Sequence, residues 1–381
     1  MRDPATGAGI TGLAAVSVLG RGAQAQLAGG LTGAAAFAPV RRFDVDRRRV
    51  KDAATLSDAG SLADELADVV REACEAAGLT PAQRAATPLL LAVHGHPAAG
   101  RVSEEDGQAP TATRFAAELA QRTGLGGAAK VYTCACVSAS TAVADAAALM
   151  RLGRAERVVV AAGYLVEPDQ FALFDAGRAL ATDGAARPFS AGRGGLLLGD
   201  AVSAVVLEAG VRDAVAEVVG WGRAGDAYHT VRPDPEGGGL ARAIAAALRR
   251  AGVGPDEIGY VNANASGAEG DSAEAAALHL ALGPAVARVP VSSTKSVHGH
   301  ALEGSGLLEL IITALAVHAG KLPVNAGYLG ADPDCALDLI VGAPRQAESP
   351  YALSLNAAFG GANTALLVRA AEGTGGTGGA P

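Results

Sequence analysis

The chain has 381 residues, of which half are apolar and only 4% are aromatic, and its net charge at pH 7 is −8. A chain of this length can bury a large apolar core, so these values indicate a globular protein and argue against general binding to nucleic acids. No apolar run reaches the ~18 uncharged residues of a membrane helix, and the N-terminus lacks a signal-peptide pattern, so we expect a cytoplasmic protein that does not enter a membrane.

Strand and helix patterns alternate through the first part of the chain. In chain order the predicted elements are a strand in residues 9–20, a helix in 61–80, a strand in 87–96, a helix in 112–126, a strand in 129–136, a helix in 138–155, and strands in 156–164 and 199–210. Such alternation is typical of an α/β fold.

The same style of pattern begins again in the second part. The predicted elements are a helix in residues 240–254, a strand in 258–267 that runs into a loop, a helix in 273–283, a strand in 289–296, a helix in 304–320, and a pair of strands in 351–370. We therefore predict two duplicated α/β halves, residues 1–212 and 213–371, followed by a Gly-rich disordered tail in 372–381.

The cysteines and histidines do not form a metal-binding pattern. Four cysteines lack paired zinc-ligand spacing, and Cys134 and Cys136 are too close for an ordinary disulfide, so we interpret all four as reduced thiols. The pair His94 and His96 has no evident third ligand, and a turn after a strand explains it. No metal site is predicted.

Cys136 has the sequence context of a nucleophile. It stands where a predicted strand meets an Ala-rich helix, and the unpaired N–H groups at a helix N-terminus favour a thiolate. Cys134 lies two residues earlier, within the predicted strand. The alternative is that both cysteines are small buried hydrophobic residues.

Two further stretches could bring polar side chains to that thiol. SSTKSVHGH carries Lys295 and His300 after a predicted strand, and VNANASGAEGDSAEAAAL forms a similar loop of small polar residues. Side chains at the carboxyl ends of neighbouring strands converge in α/β folds, so these residues are candidates for one site.

Taken in order, RPFSAGRGGLLLGDAVSAVVLE, GDAYHTVRPDPEGGG and SSTKSVHGH resemble segments of the β-ketoacyl synthases of the thiolase superfamily. The resemblance covers nearly the whole chain. It implies a five-layered αβαβα thiolase fold, a homodimer or a heterodimer with a related ketosynthase-like chain, and an acyl carrier protein as partner. That partner supplies a phosphopantetheine arm, so the resemblance implies no cofactor bound to this chain.

The resemblance also assigns roles to residues. CACVSAS matches the family's T-A-C-x-S motif with Cys136 as the acyl-accepting nucleophile, and KSVHGH matches Lys295 and His300 to the conserved lysine and second histidine. Glu274, after Asp271, matches the acidic residue expected near that lysine.

AAFGGAN resembles the family's glycine-rich loop, in which Phe359 would be an aromatic gate beside the thiol. Gly360 and Gly361 would let this gate move. Ala357 stands where many family members have another Phe, which favours a larger pocket.

One departure from the family pattern bears on the chemistry. Asn264 stands where the first histidine of a V-N-A-H-G-T motif is expected, and the loop up to Asp271 is one residue shorter. In the family, both histidines donate hydrogen bonds to the malonyl thioester oxygen as charge develops there during decarboxylation. An asparagine amide can also donate, but it cannot exchange a proton near neutral pH.

Three hypotheses follow for the function. The first is acyl transfer through Cys136 without malonyl decarboxylation, in polyketide-type or other specialised metabolite biosynthesis. The second is decarboxylative condensation that uses Asn264 and His300. The third is a non-catalytic partner subunit similar to chain-length factors, which the retained cysteine disfavours. We expect the first.

A basic stretch precedes the first predicted helix. VRRFDVDRRRVK is either a solvated loop or a docking surface for the acidic carrier protein, and we expect the second. The residues concerned are Arg41, Arg42, Arg47, Arg48, Arg49 and Lys51.

Overall fold

A computed structural model of the protein describes residues 7–97, 111–211 and 213–371. The predicted tail in 372–381 therefore lies outside the described residues, as does Arg212 at the predicted boundary between the halves.

The described residues before Arg212 form eight strands and six α-helices. The strands are β1 (Ala8–Ser17), β2 (Gly20–Arg21), β3 (Ala38–Pro39), β4 (Asp52–Ala53), β5 (Leu89–Ala92), β6 (Ala128–Tyr132), β7 (Arg157–Tyr164) and β8 (Ala201–Ala209). The helices are α1 (Ala23–Thr32), α2 (Leu62–Ala76), α3 (Pro81–Ala85), α4 (Ala112–Thr123), α5 (Ser138–Arg151) and α6 (Pro168–Ala176).

The described residues after Arg212 form eight more strands and four more α-helices. The strands are β9 (Ala216–Gly225), β10 (Ile258–Asn262), β11 (Pro290–Ser292), β12 (Lys321–Leu322), β13 (Asp338–Leu339), β14 (Arg345–Gln346), β15 (Tyr351–Ala358) and β16 (Ala362–Ala370). The helices are α7 (Gly238–Ala251), α8 (Asp271–Leu282), α9 (Lys295–His298) and α10 (Ser305–Ala319).

The two halves share one strand order. The first sheet runs β6-β5-β7-β8-β1 and the second runs β11-β10-β15-β16-β9, with β13 added beside β11. When the five main strands of each half are counted along the chain, both orders read 3-2-4-5-1. The sheets meet where the start of β1 pairs with β9. This repetition confirms the predicted duplicated α/β fold.

Helices α5 and α10 form the middle of five layers. Both contact strands of the first sheet and strands of the second, and they contact each other. Every residue of α10 from Ser305 to Val317 is buried. This accounts for its sequence, SGLLELIITALAVHA, which is apolar on all sides apart from Glu309 and a few other polar residues. Helices α2 and α4 cover the outer face of the first sheet, and α7 and α8 lie outside the second.

One segment, Leu302–Ala319, is long and apolar enough to cross a membrane, and 89% of it is buried inside the protein. Its place in the central layer accounts for its composition.

Strand β9 was missed in the sequence because its glycines break the apolar pattern. A Cβ at Gly222 would lie 1.7 Å from the Ala243 carbonyl oxygen, and one at Gly220 would lie 2.2 Å from that of Ala247. These glycines let α7 approach the sheet closely. Helices α1 and α6 were also absent from the prediction.

Several predicted strands end earlier than expected. Strand β6 ends at Tyr132 rather than residue 136, β10 ends at Asn262, and β11 ends at Ser292. The shortened ends leave room for turns after β6, β10 and β11, and these turns carry the candidate site.

Candidate functional site

Cys136 lies in a tight turn between β6 and α5. The turn is a 3-10 helix, Ala135–Val137, in which Ala135 adopts a left-handed φ of 54°. Cys136 is 8% exposed, whereas Cys134 is an exposed residue outside the strand in which we had placed it. Of the two thiols, the one predicted to be the nucleophile is therefore the buried one.

The expected thiolate is not favoured in the free protein. Burial, and next the carboxylate of Glu303, raise the pKa of the Cys136 thiol to about 12, although the cation of Lys295 acts in the opposite direction. At neutral pH Cys136 is a thiol, and acylation requires its proton to move.

His300 is a neutral hydrogen-bond donor. The Leu302 N–H donates to its Nδ1 at 3.1 Å, and the Ser305 hydroxyl lies 3.0 Å from the same atom. Because Nδ1 accepts, the proton of the neutral ring is on Nε2. Burial, Lys295 and His298 hold the pKa of His300 well below its usual range. Its Nε2–H is thus available to an oxyanion.

Lys295 forms a buried ion pair with Glu309. Its Nζ lies 2.7 Å from the Glu309 carboxylate, and the two side chains are 1% and 0% exposed. Glu274, the acidic residue predicted to stand near this lysine, is close enough for Lys295 to act on its charge, but the direct ion-pair partner is Glu309. Glu309 was missed because it lies in the middle of an apolar helix.

Asn264 is oriented by its neighbours. Its backbone N–H donates to Glu274 at 2.8 Å, and its side-chain oxygen accepts from the Lys295 ammonium at 3.3 Å. With that oxygen occupied, the amide NH₂ remains as a donor. Asn264 is only partly buried.

Asp271 and Glu274 hold the loop that carries Asn264. Asp271 accepts hydrogen bonds from the backbone N–H groups of Phe189, Ser266 and Gly267. Burial raises the pKa of Asp271 to about 6 and that of Glu274 to about 8. Both carboxyl groups accept hydrogen bonds from the backbone of the loop after β10 and so fix its conformation.

Phe359 lies at the turn between β15 and β16. Gly360 and Gly361 have φ values of 89° and 76°, which only glycine adopts readily. The Phe359 ring is half-exposed and stacks on Phe174 with centroids 5.9 Å apart. Strand β15, which leads to this turn, contacts the turn that carries Cys136.

Three further histidines lie near the site motifs or in the pair noted in the sequence, and each has a contact. Buried His298 pairs its Nδ1 with the Gly299 carbonyl and its Nε2 with the Thr294 hydroxyl. His94 lies 3.0 Å from Glu303, and the His96 ring packs near Phe115. Across the described ranges, no three His, Cys, Asp or Glu residues come together as a metal site.

The basic stretch divides into two sets. Arg42 forms two hydrogen bonds with the fully buried Asp200, Arg49 donates to the Asp175 carbonyl, and Lys51 donates to backbone carbonyls of its own loop. These three side chains stabilise the fold, which their spacing alone did not indicate. Arg41 and Arg47 are exposed and Arg48 is partly exposed.

Comparisons with known proteins agree with this geometry. The family model described as "Beta-ketoacyl synthase, N-terminal domain" matches residues 42–211, and "Beta-ketoacyl synthase, C-terminal domain" matches residues 215–328. The two matches together span well over half of the chain.

Curated relatives share about a third of the aligned residues. The Staphylococcus aureus protein "3-oxoacyl-[acyl-carrier-protein] synthase 2" is 34% identical over 247 residues, which are 62% of this chain and 61% of that protein. A protein of the same name from Rhizobium meliloti (strain 1021) is 36% identical over 249 residues, which are 62% of this chain and 59% of that protein. The match thus spans about 60% of the relatives' length.

Solved structures match over almost the full chain. "The ishigamide ketosynthase/chain length factor" has a TM-score of 0.86 and 26% identity, covering 96% of this chain and 99% of that one. A β-ketoacyl synthase from Burkholderia phymatum STM815 has a TM-score of 0.86 and 25% identity, covering 96% and 100%.

The buried ion pair makes a prediction about stability. Glu309→Gln leaves the Lys295 cation buried without its counter-charge, so we expect the free energy of unfolding to fall by roughly 3–5 kcal/mol. Glu118→Gln, which breaks the exposed pair with Arg114, is the control and should cost less than about 1 kcal/mol. Urea denaturation measures both, and equal small losses would contradict the importance of the buried pair.

Proposed function

This chain belongs to the β-ketoacyl synthase family, and from that membership we propose that it transfers acyl groups from carrier-protein thioesters through an acyl-Cys136 intermediate. Cys136 attacks the thioester carbonyl, the carrier thiol leaves, and a second nucleophile later accepts the acyl group. The observation that carries this proposal is the buried thiol at the start of α5, next to a site in which His300 is a neutral donor.

The site supports stabilisation of an oxyanion by two different groups. His300 offers Nε2–H, and Asn264 offers its amide NH₂ because Lys295 occupies its side-chain oxygen. Neither donor is charged, and His300 stays neutral because its pKa is depressed. We propose that both donate to the thioester oxygen of a bound substrate.

We propose further that the main reaction does not include malonyl decarboxylation. Asn264 replaces the histidine whose donated hydrogen bond serves that step in the family, and its amide cannot exchange a proton near neutral pH. A lost or misplaced donor of this kind costs roughly 100- to 1,000-fold in rate. A loss of this size would slow condensation without abolishing acyl transfer to and from Cys136.

Decarboxylative condensation is the second candidate. The free amide NH₂ of Asn264 favours it, since a donor is still present at the histidine's position. The curated relatives are named as 3-oxoacyl synthases, which also favours it.

The partner we propose is an acyl carrier protein, which the names of the curated relatives contain. Within the basic stretch, Arg41, Arg47 and Arg48 have no side-chain hydrogen bond among those described and suit an acidic surface. Polyketide-type or other specialised metabolite biosynthesis remains our proposed setting.

We also propose that this chain forms a dimer with a second chain. Strand β6 ends the first sheet and pairs with β5 alone in the described part of the chain, so its other edge is open to a strand from a partner. The ishigamide protein named above combines a ketosynthase with a chain length factor, so a homodimer and a heterodimer with a related chain both fit.

Acylation tests the proposed nucleophile. After incubation with acyl-carrier protein, intact-protein mass should show one acyl adduct on the wild type and on Cys134→Ala, but none on Cys136→Ala. A chase with malonyl-carrier protein should leave the adduct in place without β-ketoacyl product. Adduct that turns into β-ketoacyl product would establish the condensing reaction instead, and no adduct with any acyl group would favour the non-catalytic subunit.

Asn264→His tests whether the missing histidine limits condensation. If the missing histidine limits decarboxylation, this variant should raise β-ketoacyl formation by at least about tenfold, because an oxyanion donor is typically worth roughly 100- to 1,000-fold. Asn264→Ala, which removes the donor, is the matched control and should show no gain. Chromatographic detection of β-ketoacyl-carrier protein gives the rates, and equal rates in all three proteins would contradict this explanation.

Charge reversal tests the carrier-protein surface. Arg47→Glu/Arg48→Glu should raise the KM for carrier-bound substrate several-fold with little change in kcat, since surface charges act mainly on association. The difference should shrink at high salt. The control Arg249→Glu/Arg288→Glu reverses two charges on the outer face of the second half. An equal effect in both double variants would rule out a docking role for the basic stretch.

A further inference from the structure

The acylation step lacks a proton acceptor among the residues that the family pattern assigns. His300 uses Nδ1 as an acceptor and carries its proton on Nε2, so it cannot take a proton from the thiol. Lys295 is a cation paired with Glu309, and the amide of Asn264 is not basic. A thiol that burial keeps protonated therefore needs another base.

Glu303 lies at the right place for this role. It belongs to the 3-10 helix Leu302–Gly304, which packs against the 3-10 helix Ala135–Val137 that carries Cys136. Glu303 is 3% exposed, and its Oε2 has no hydrogen-bond partner in the described structure. A buried carboxylate oxygen without a partner is unusual and calls for a functional explanation.

The two turns occupy equivalent places in the duplicated fold. Each begins with a left-handed residue, Ala135 with φ 54° and Leu302 with φ 41°, and each leads into a central helix that begins with serine. Cys136 and Glu303 each follow the left-handed residue. Of the charged groups, Glu303 has the largest effect on the thiol of Cys136.

His94 holds the other carboxylate oxygen. Its Nδ1 lies 3.0 Å from Glu303 Oε1, and its side chain is 62% exposed. This contact fixes the carboxylate and leaves Oε2 available.

We propose that Glu303, positioned by His94, is the general base that accepts the thiol proton of Cys136 during acylation. This inference rests on the proposed acyl transfer. As the S–C bond to the acyl carbonyl forms, the thiol proton passes to Glu303 Oε2. When the thioester bond breaks, the same proton passes from Glu303 to the departing thiolate of the carrier arm.

No hydrogen bond joins Cys136 and Glu303 in the free protein. The transfer therefore needs one bridging water or the closer approach that active-site groups make when substrate binds.

Single-turnover acylation of isosteric variants tests the proposal. Glu303→Gln keeps the shape and the contact to His94 but removes the base, so its acylation should be roughly 100-fold slower than that of the wild type. Glu167→Gln removes a carboxylate from an exposed position nearby and should stay within about threefold. Intact-protein mass after rapid quenching gives the rates.

If Glu303 acted on Cys136 through its charge alone, Glu303→Gln would change the acylation rate in the opposite direction. Removing a negative charge beside the thiol would lower its pKa, so Glu303→Gln would acylate faster. Unchanged or faster acylation of Glu303→Gln overturns the proposal, and so does an equal loss in Glu167→Gln. Iodoacetamide alkylation should be faster in Glu303→Gln while acylation is slower, which a merely damaged site would not produce.

His94→Ala provides a second test because it removes the contact that fixes the Glu303 carboxylate from an exposed position. We expect acylation about tenfold slower with unchanged thermal unfolding, and an unchanged rate overturns the positioning role. Failure of the proposed function is distinguishable, since then the wild type forms no adduct at all. If the wild type acylates and Glu303→Gln matches it, only this inference fails.

Discussion

The buried ion pair between Lys295 and Glu309 joins the parts of the protein that make up the site. Glu309 belongs to the central helix α10 and also accepts a hydrogen bond from Asn356 of β15. Lys295 lies in α9 and reaches Asn264 after β10. Four elements thus depend on one pair of opposite charges. A pair removed from water this completely is costly when either partner is lost, and this makes its geometry a strict constraint.

The duplicated halves could be predicted because they depend on local patterns. Apolar runs such as those of β5, β7 and β8 lie in strands that are buried except at one end of β7 and β8, and α2 and α7 have apolar positions at helical spacing. Strand β9 was not predicted because its close packing against α7 requires glycine where a strand pattern would show branched residues. Packing between elements is a tertiary property that a local pattern does not contain.

The motif residues of the site could be predicted from the sequence, but the residues that pair with them could not. Cys136, Lys295 and His300 stand in motifs that can be read directly, but Glu309 is far from any motif and is a single acid in an apolar helix. Arg42 belongs to a basic stretch in the sequence, whereas its partner Asp200 lies 158 residues away. The raised pKa of the Cys136 thiol could not be foreseen either, because it results from burial and from Glu303, which lies 167 positions away in the chain.

The equivalent turns before α5 and α10 bear on the ancestry of the site. If the two halves descend from one ancestral half-chain that paired with itself, the same residue once faced its own copy across a twofold axis. Duplication and fusion would then have allowed each copy to change alone. The position in the first half could become a nucleophilic cysteine and the position in the second half a carboxylate that acts as a base. A symmetric assembly of identical chains cannot achieve this difference. The division of labour between Cys136 and Glu303 would be a product of that broken symmetry.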